Sequence, residues 1–226
     1  MILRHLVVKT NWIVKTYAKR YSEVMLNVIT LDLEGVLVPE IWIEFSKITG
    51  IDDFRLTTRE VPDYDVLMKK RIELLAQHGL KLKDIQDVIR RMHPMEGAKD
   101  FLDRLRRQTQ VVILSDTFTQ FAGPLMEKLG LPTIFCNTLE IHSEGQVTGY
   151  QLRQKDGKKK AVQAFHSMGL KVFASGDSYN DTGMLLEADA GFFFCPPESI
   201  TKQFPQIPVT HSYEELSAAF APFLSE

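Results

Sequence analysis

Cysteine is nearly absent: Cys136 and Cys195 are the only two in 226 residues, far apart and without CxxC spacing. That excludes a disulfide framework and a structural zinc site, and it fits a reducing cytoplasm. Charge of one sign is also lacking. Lys and Arg total 27 against 29 Asp and Glu, a net charge of −2, so neither a nucleic-acid partner nor a membrane surface is indicated. There is no internal repeat and no low-complexity segment. The phosphate-cradling patterns G-x-x-x-x-G-K-[ST] and G-x-G-x-x-G do not occur, which removes P-loop kinases and dinucleotide enzymes. Gly176-Asp-Ser178-Tyr-Asn180 nearly spells the hydrolase G-x-S-x-G elbow but fails at its fifth position, and no histidine is placed by a motif as its base. His93 and His142 lack metal-ligand spacing and read as structural or surface residues.

Residues 1–25 lack acids: Arg4, Lys9, Lys15, Lys19 and Arg20 face the single acid Glu23. The two inner lysines, Lys9 and Lys15, cut the apolar stretches too short for a membrane span or a signal-peptide core. Low acid content faintly resembles a transit peptide. The plainer reading is an N-terminal extension outside the domain, with Met25 as an alternative start.

What is present is an ordinary globular composition, 44% hydrophobic and 25% charged, enough for one good core with a smaller attached module. Val28, Ile29 and Leu31 predict a buried parallel strand that delivers Asp32 to the carboxyl edge of a sheet. There, open α/β folds bind their ligands. Alternation sends Asp32 and Glu34 to the same side. Residues 40–94 read as helical, with Leu67, Leu74 and Leu75 on one stripe and Leu82, Ile85, Val88, Ile89 and Met92 on another. Helix and strand then alternate. A helix carries Ala98, Phe101, Leu102 and Leu105, and Val111–Leu114 is a strand ending at Ser115-Asp116. The next helix carries Phe118, Phe121, Leu125 and Leu129, with Gly130 as its C-cap. A hairpin is predicted over 139–152 around Glu144-Gly145. After it come a helix near Lys158, a strand over 171–175, a last strand over 191–194 and a short terminal helix. The expected fold is α/β: a parallel sheet covered by helices on both faces. A helical cap over 40–94 is inserted into a core formed by 26–39 and 95–226.

Three predicted strands end in acid-bearing turns: Asp32-x-Glu34, Ser115-Asp116-Thr117, and Gly176-Asp177 with Asn180-Asp181. Oxygen ligands from separate strands suit a hard cation such as Mg2+, which binds through few carboxylates plus a substrate phosphate. Each group then has a role. Asp32 attacks phosphorus and becomes an aspartyl phosphate. Glu34 protonates the departing alkoxide and later takes a proton from water, its pKa raised by neighbouring carboxylates. Ser115, with nearby backbone N–H groups such as that of Asp116, holds phosphoryl oxygens; Lys158 neutralises charge on them. Lys158 is preferred over Lys159 because it lies on the stripe of Val162, Phe165 and Gly169. Rival readings exist: Ser115 as a helix cap, Asp177 as a turn residue, Asn180 and Asp181 as helix starters, and the lysines as a solvated charge run. Arg71 falls on an apolar stripe, four after Leu67 and three before Leu74. A buried guanidinium needs an anionic partner. A substrate carboxylate would serve; the alternatives are a snorkelling surface arginine or an internal salt bridge with a cap acid.

The ordered set Asp-x-Glu-Gly-Val-Leu, Leu-Ser-Asp-Thr, a lysine and Gly-Asp-x-x-Asn-Asp resembles the four-motif signature of haloacid dehalogenase-type phosphatases. It spans residues 28–195. Within that superfamily the chain is most similar to phosphoserine phosphatases, in particular the subgroup that also transfers phosphate to homoserine. The second acid is usually aspartate; Glu34 departs from this, as that subgroup also does. The resemblance implies a Rossmann-like core and a Mg2+ ion held by the Asp32 and Asp177 side chains and by the Glu34 backbone carbonyl, with Asp181 behind them. It also implies Glu40 on the substrate ammonium, whose bland rival is an acid favoured in a helix first turn. Asn180 is placed with the substrate-binding residues. The expected partner is a small phosphorylated amino acid, with no nucleic acid and no membrane; a homodimer is left open. Hydrolysis of O-phosphoserine in cytoplasmic serine biosynthesis is the expected activity, with phosphotransfer to homoserine, or another small phosphorylated metabolite, as alternatives. A phospho-receiver is a third class, disfavoured because it needs neither a cap nor a proton donor.

Overall fold

The computed structural model describes residues 26–224 apart from Arg59 and Pro62, so the reading of residues 1–25 lies outside the described residues. The sheet runs β4-β3-β2-β1-β5-β6-β7. Its strands are β1 Asn27–Leu31, β2 Gln110–Phe118, β3 Thr133–Ile141, β4 Val147–Gln151, β5 Lys171–Gly176, β6 Ala190–Phe194 and β7 Val209–Thr210. All pairings are parallel except β3 with β4. The chain builds outward from β1 through β2 and β3, then returns to add β5 and β6 on the other side. β1 therefore sits at the topological switch point, where a crevice opens beyond the strand ends.

Alternation along the strands divides the apolar residues between two faces. Ile29, Leu31, Val111, Ile113 and Phe173 join one cluster, and Val28, Val112, Leu114, Val172 and Ala174 the other. Both faces are covered, as the near-continuous apolar strands require.

Between β1 and the helix α4 (Ala98–Arg106) lie α1 Ile41–Thr49, a 3-10 turn Asp52–Arg55, α2 Tyr64–Gln77 and α3 Leu82–Arg91. Asp63 caps α2 by accepting from the N–H groups of Asp65 and Val66 at 2.9 and 3.1 Å. This helical block has no core of its own. Its Phe45, Phe54, Met68, Ile85 and Ile89 merge into the same apolar cluster as Leu102, Phe121 and Leu125. Polar contacts tie it down as well: Gln86 donates to the Gln120 carbonyl at 2.9 Å, and Tyr150 to Asp65 at 2.7 Å.

The remaining helices are α5 Thr119–Lys128, α6 Gly157–Ser167, α7 Thr182–Glu187, α8 Glu198–Gln203 and α9 Tyr213–Phe220. Among the described residues no helix is long and apolar enough to cross a membrane.

Three expectations need correcting. The strand placed at 111–114 continues to Phe118, with a register shift against β3 between Leu114 and Phe118; Ser115 is thus in extended chain rather than capping a helix. The predicted hairpin is present as β3 with β4, but it starts well before 139: its first strand begins at Thr133 and pairs with β2 in the main sheet. Its turn grips the helical block, the Gly145 carbonyl accepting from Leu82 N–H at 3.0 Å. Finally, β6 is not the last strand: β7 adds a two-residue edge. So short a segment carries no periodicity to read.

Candidate active site

Register brings the motifs together. Leu31 pairs with Ser175 on one side and Ile113 on the other, so Asp32, Ser115 and Asp177 leave three adjacent strands at one edge. The ladder continues one step further, Asp32 N–H donating to the Ser175 carbonyl at 2.9 Å. Asp32 is 4% exposed, and its Oδ1 accepts from Leu33 N–H at 2.7 Å.

Beyond Asp32 the chain folds into a tight flap in which Gly35 N–H donates to the Val38 carbonyl at 2.8 Å. Gly35 has φ +78, and a Cβ there would sit 2.5 Å from the Asp177 carboxyl carbon. Glycine is required at this position twice over, for its left-handed backbone and for the space Asp177 occupies.

Lys158, on the inner face of α6, is buried between carboxylates. Its Nζ lies 2.9 Å from Asp32 Oδ1, 2.7 Å from Asp181 Oδ1 and 4.0 Å from Asp116 Oδ2. Lys159 instead reaches Glu187 at the surface, so the facing argument selects the lysine that the structure buries. Burial alone would lower the Lys158 pKa; Asp181, Asp32 and Asp116 outweigh it and hold the ammonium well above the usual lysine range. Asp32 is pushed up by burial, then by Asp181 and Asp177, with Lys158 opposing. Asp181 is itself anchored, its Oδ2 accepting from the N–H groups of Asp177 and Ser178, each at 3.0 Å.

Buried carboxylate oxygens of Asp32, Asp177 and Asp181 lie within 4.8 Å of one another. An all-oxygen donor set of this charge fits Mg2+, and a cation would offset the mutual repulsion of three buried acids. The Glu34 side chain is outside this cluster. Its Oε2 accepts from Ile41 N–H at 2.8 Å. Burial first, and Glu40 second, push its carboxyl up to about 8, against the pull of Ile41 N–H, Arg71 and Lys158.

A cavity of about 80 Å³ stands over this edge, lined by Asp32, Glu34, Glu40, Trp42, Thr57, Tyr64, Arg71, Ser115, Asp116 and Asn180, among others. A water needs roughly 10–15 Å³ by this measure, so the space suits a small metabolite. Of the residues singled out from the sequence, Lys158, Asp177 and Asp181 do not line it and stand behind Asp32. Ser115 Oγ accepts from Thr117 N–H at 3.2 Å, and Asn180 Nδ2 donates to Asp116 Oδ2 at 2.7 Å.

Arg71 is 7% exposed and makes no salt bridge with any described carboxylate, which removes both the snorkelling and the internal-pair readings. Its Nη2 donates to the Leu56 carbonyl at 2.8 Å, while its Nε is buried without a partner. Burial draws its pKa down to about 10, against Tyr64, Glu34 and Glu40.

Sequence reasoning missed Trp42, Tyr64 and Asn137. Tyr64, at the start of α2, donates to the Asp116 carbonyl at 3.0 Å, and Asn137 Nδ2 to the same carbonyl at 3.2 Å. The unread first half of β3 supplies Asn137, and Tyr64 had no motif to mark it.

The haloacid dehalogenase-like hydrolase family profile matches residues 38–186, and the chain belongs to that family. Among its relatives is phosphoserine phosphatase ThrH of Pseudomonas aeruginosa, 57% identical over 195 residues, or 86% of this chain and 95% of that protein. A phosphoserine phosphatase of Pseudomonas syringae pv. tomato is 54% identical over 199 residues, covering 88% and 84%. A solved phospho-aspartyl intermediate analogue of phosphoserine phosphatase superposes with a TM-score of 0.72 at 21% identity, covering 89% of this chain and all of that one. At that identity the likeness speaks to the fold alone.

Proposed function

We propose that this chain is a Mg2+-dependent phosphomonoester hydrolase acting on O-phosphoserine through a phosphorylated Asp32. The observation that carries the reading is a small cavity whose lining Asp32 belongs to a buried carboxylate–lysine cluster, with two unlike charges, Glu40 and Arg71, on its wall. Phosphoserine has three charged groups to match: a phosphate, an ammonium and a carboxylate. The close relatives named phosphoserine phosphatase support the same substrate.

In the first half-reaction the Asp32 carboxylate attacks phosphorus and the P–O bond to serine breaks. Glu34 delivers a proton to the leaving serine oxygen. With a pKa of about 8 it is mostly protonated at neutral pH, as an acid catalyst must be. In the second, Glu34 takes a proton from water, whose oxygen attacks phosphorus; phosphate leaves and Asp32 is regenerated. Lys158 holds Asp32 oriented and balances the charge gathered at the floor. Ser115, with the Asp116 N–H, is assigned to the phosphoryl oxygens, Asn180 to keeping Asp116 in place, Glu40 to the ammonium and Arg71 to the carboxylate.

Asp32 and Asp177, with the Glu34 carbonyl, would hold the metal, and Asp181 would orient them. Bound there, the ion would screen the repulsion between carboxylate and phosphoryl group. We assign residues 40–94 the role of a cap that closes the substrate in, with 26–39 and 95–226 as the core. The test is phosphate release across a panel of phosphorylated metabolites, with and without Mg2+ and with homoserine as added acceptor. Metal-dependent release that is largest for phosphoserine is expected; equal release from esters lacking the amino acid would refute the substrate assignment.

A further inference from the structure

Arg71 lies over the ring of Trp42. The guanidinium carbon lies 4.7 Å from the centroid of the Trp42 ring. The indole is itself immobilised: it stacks on Phe54 at 5.7 Å and 22°, and meets Phe45 and Phe121 edge-on at 6.0 and 5.8 Å. Three rings, two from the helical block and one from α5, leave it no room to turn. The Leu56 carbonyl takes Nη2 at 2.8 Å, and Met68 Sδ lies 3.8 Å from Nη1, so the fork is held from two further sides. Nε remains buried and unpartnered. A buried donor left unmade is costly. On the cavity wall, an anion with two oxygens relieves that cost best.

We infer that Trp42 is the positioning residue that gives this cavity its preference for carboxylate-bearing phosphoesters. This rests on the reading of Arg71 as the partner of the substrate carboxylate. The ring acts through the cation that lies over it. Lysine at position 71 could not replace the pair, since an ammonium presents neither a fork nor a face to stack.

The experiment compares O-phosphoserine with O-phosphoethanolamine, which keeps the ester and the ammonium but lacks the carboxylate. Trp42→Leu should lower the ratio of kcat/KM for phosphoserine to kcat/KM for phosphoethanolamine about 2- to 30-fold, the range of a cation–π contact, with the loss in KM for phosphoserine. Trp42→Phe, which keeps a ring face, should recover most of the loss. Should Trp42→Leu not fold, fluorinated tryptophan in a Trp12→Phe background keeps the shape of the indole and weakens only its face. The preference should then fall stepwise with fluorine number. A preference untouched by Trp42→Leu or by fluorination, yet abolished in Arg71→Gln, overturns the platform alone. A wild type with no preference for phosphoserine, unaffected by Arg71→Gln, overturns the Arg71 assignment and the platform with it.

Discussion

The cavity has two sides built on different principles. Its floor comes from strand ends, where backbone register brings Asp32 and Ser115 to the cavity with Asp177 next to them, and Lys158 links Asp32 to Asp181 beneath it. Its wall comes from the helical block, where Glu40, Trp42, Tyr64 and Arg71 are set by packing between helices and aromatic rings. Floor groups hold one another by charge, so losing one disturbs the rest. On the wall, Arg71 is held by uncharged neighbours and presents its charge to the cavity. The floor is therefore suited to a reaction shared by many phosphoesters, and the wall to choosing among them.

The sharpest way to test this division is Asp32→Asn. It keeps the shape of the floor but removes the nucleophile, and kcat should fall by at least about 10³-fold for every ester. Steady-state rates on phosphoserine and on a simple aryl phosphate measure this; retention of Mg2+-dependent turnover would remove the covalent route. Lys158→Met should come next, because it leaves two buried carboxylates without their shared cation. Breaking such a pair costs roughly 3–5 kcal/mol. At about 2–4 °C per kcal/mol for a chain of this size, melting should fall by about 6 °C or more, along with kcat. Excess Mg2+ should restore part of the stability. A melting temperature unchanged without metal would show that the lysine does not balance the floor.

The same division governs what could be read from the sequence. Floor residues sit in strings of fixed spacing at the ends of apolar runs, so Asp32, Ser115 and Asp177 were legible once the strands were. Lys158 followed from the helix face it shares with Val162 and Phe165. The wall was legible only where a charge interrupted an apolar stripe, as Arg71 does between Leu67 and Leu74. Trp42 and Tyr64 look like any aromatic residues of a packed helix; their placement depends on which helix crosses which strand end. The same limit applies to β3. Thr133–Cys136 lacks a clean alternation, and its pairing with β2 is a long-range choice. The antiparallel half beside Glu144-Gly145 had a turn to announce it.

On the wall, Arg71→Gln should discriminate between substrates where the floor variants do not. Charged hydrogen bonds are worth about 1.5–3 kcal/mol, so KM for phosphoserine should rise roughly 10- to 150-fold with little change in kcat. An ester without a carboxylate should be unaffected. Equal effects on both would place Arg71 with the floor and dissolve the comparison.

The smallest expected effect calibrates the others, because it concerns a charge cluster remote from the cavity. Asp189, just before β6, accepts from Val172 N–H at 2.9 Å and Lys171 Nζ at 2.5 Å, and pairs with His166 Nε2 at 2.9 Å. Partial burial opposes its ionisation, but Lys171, the Val172 N–H and His166 prevail and lower its pKa. A carboxylate with a lowered folded-state pKa stabilises the fold above its unfolded pKa of about 3.9 and loses that contribution as pH falls through the folded value. Asp189→Asn should therefore cost only about 1 kcal/mol at neutral pH, some 2–4 °C in melting temperature. The difference from wild type should close as both are taken toward pH 3, while kcat and KM for phosphoserine stay as they were. A change in either kinetic constant would mean that the sheet beneath the floor transmits strain to Asp32 and Asp177. The floor would then be held by the fold around it as much as by its own charges.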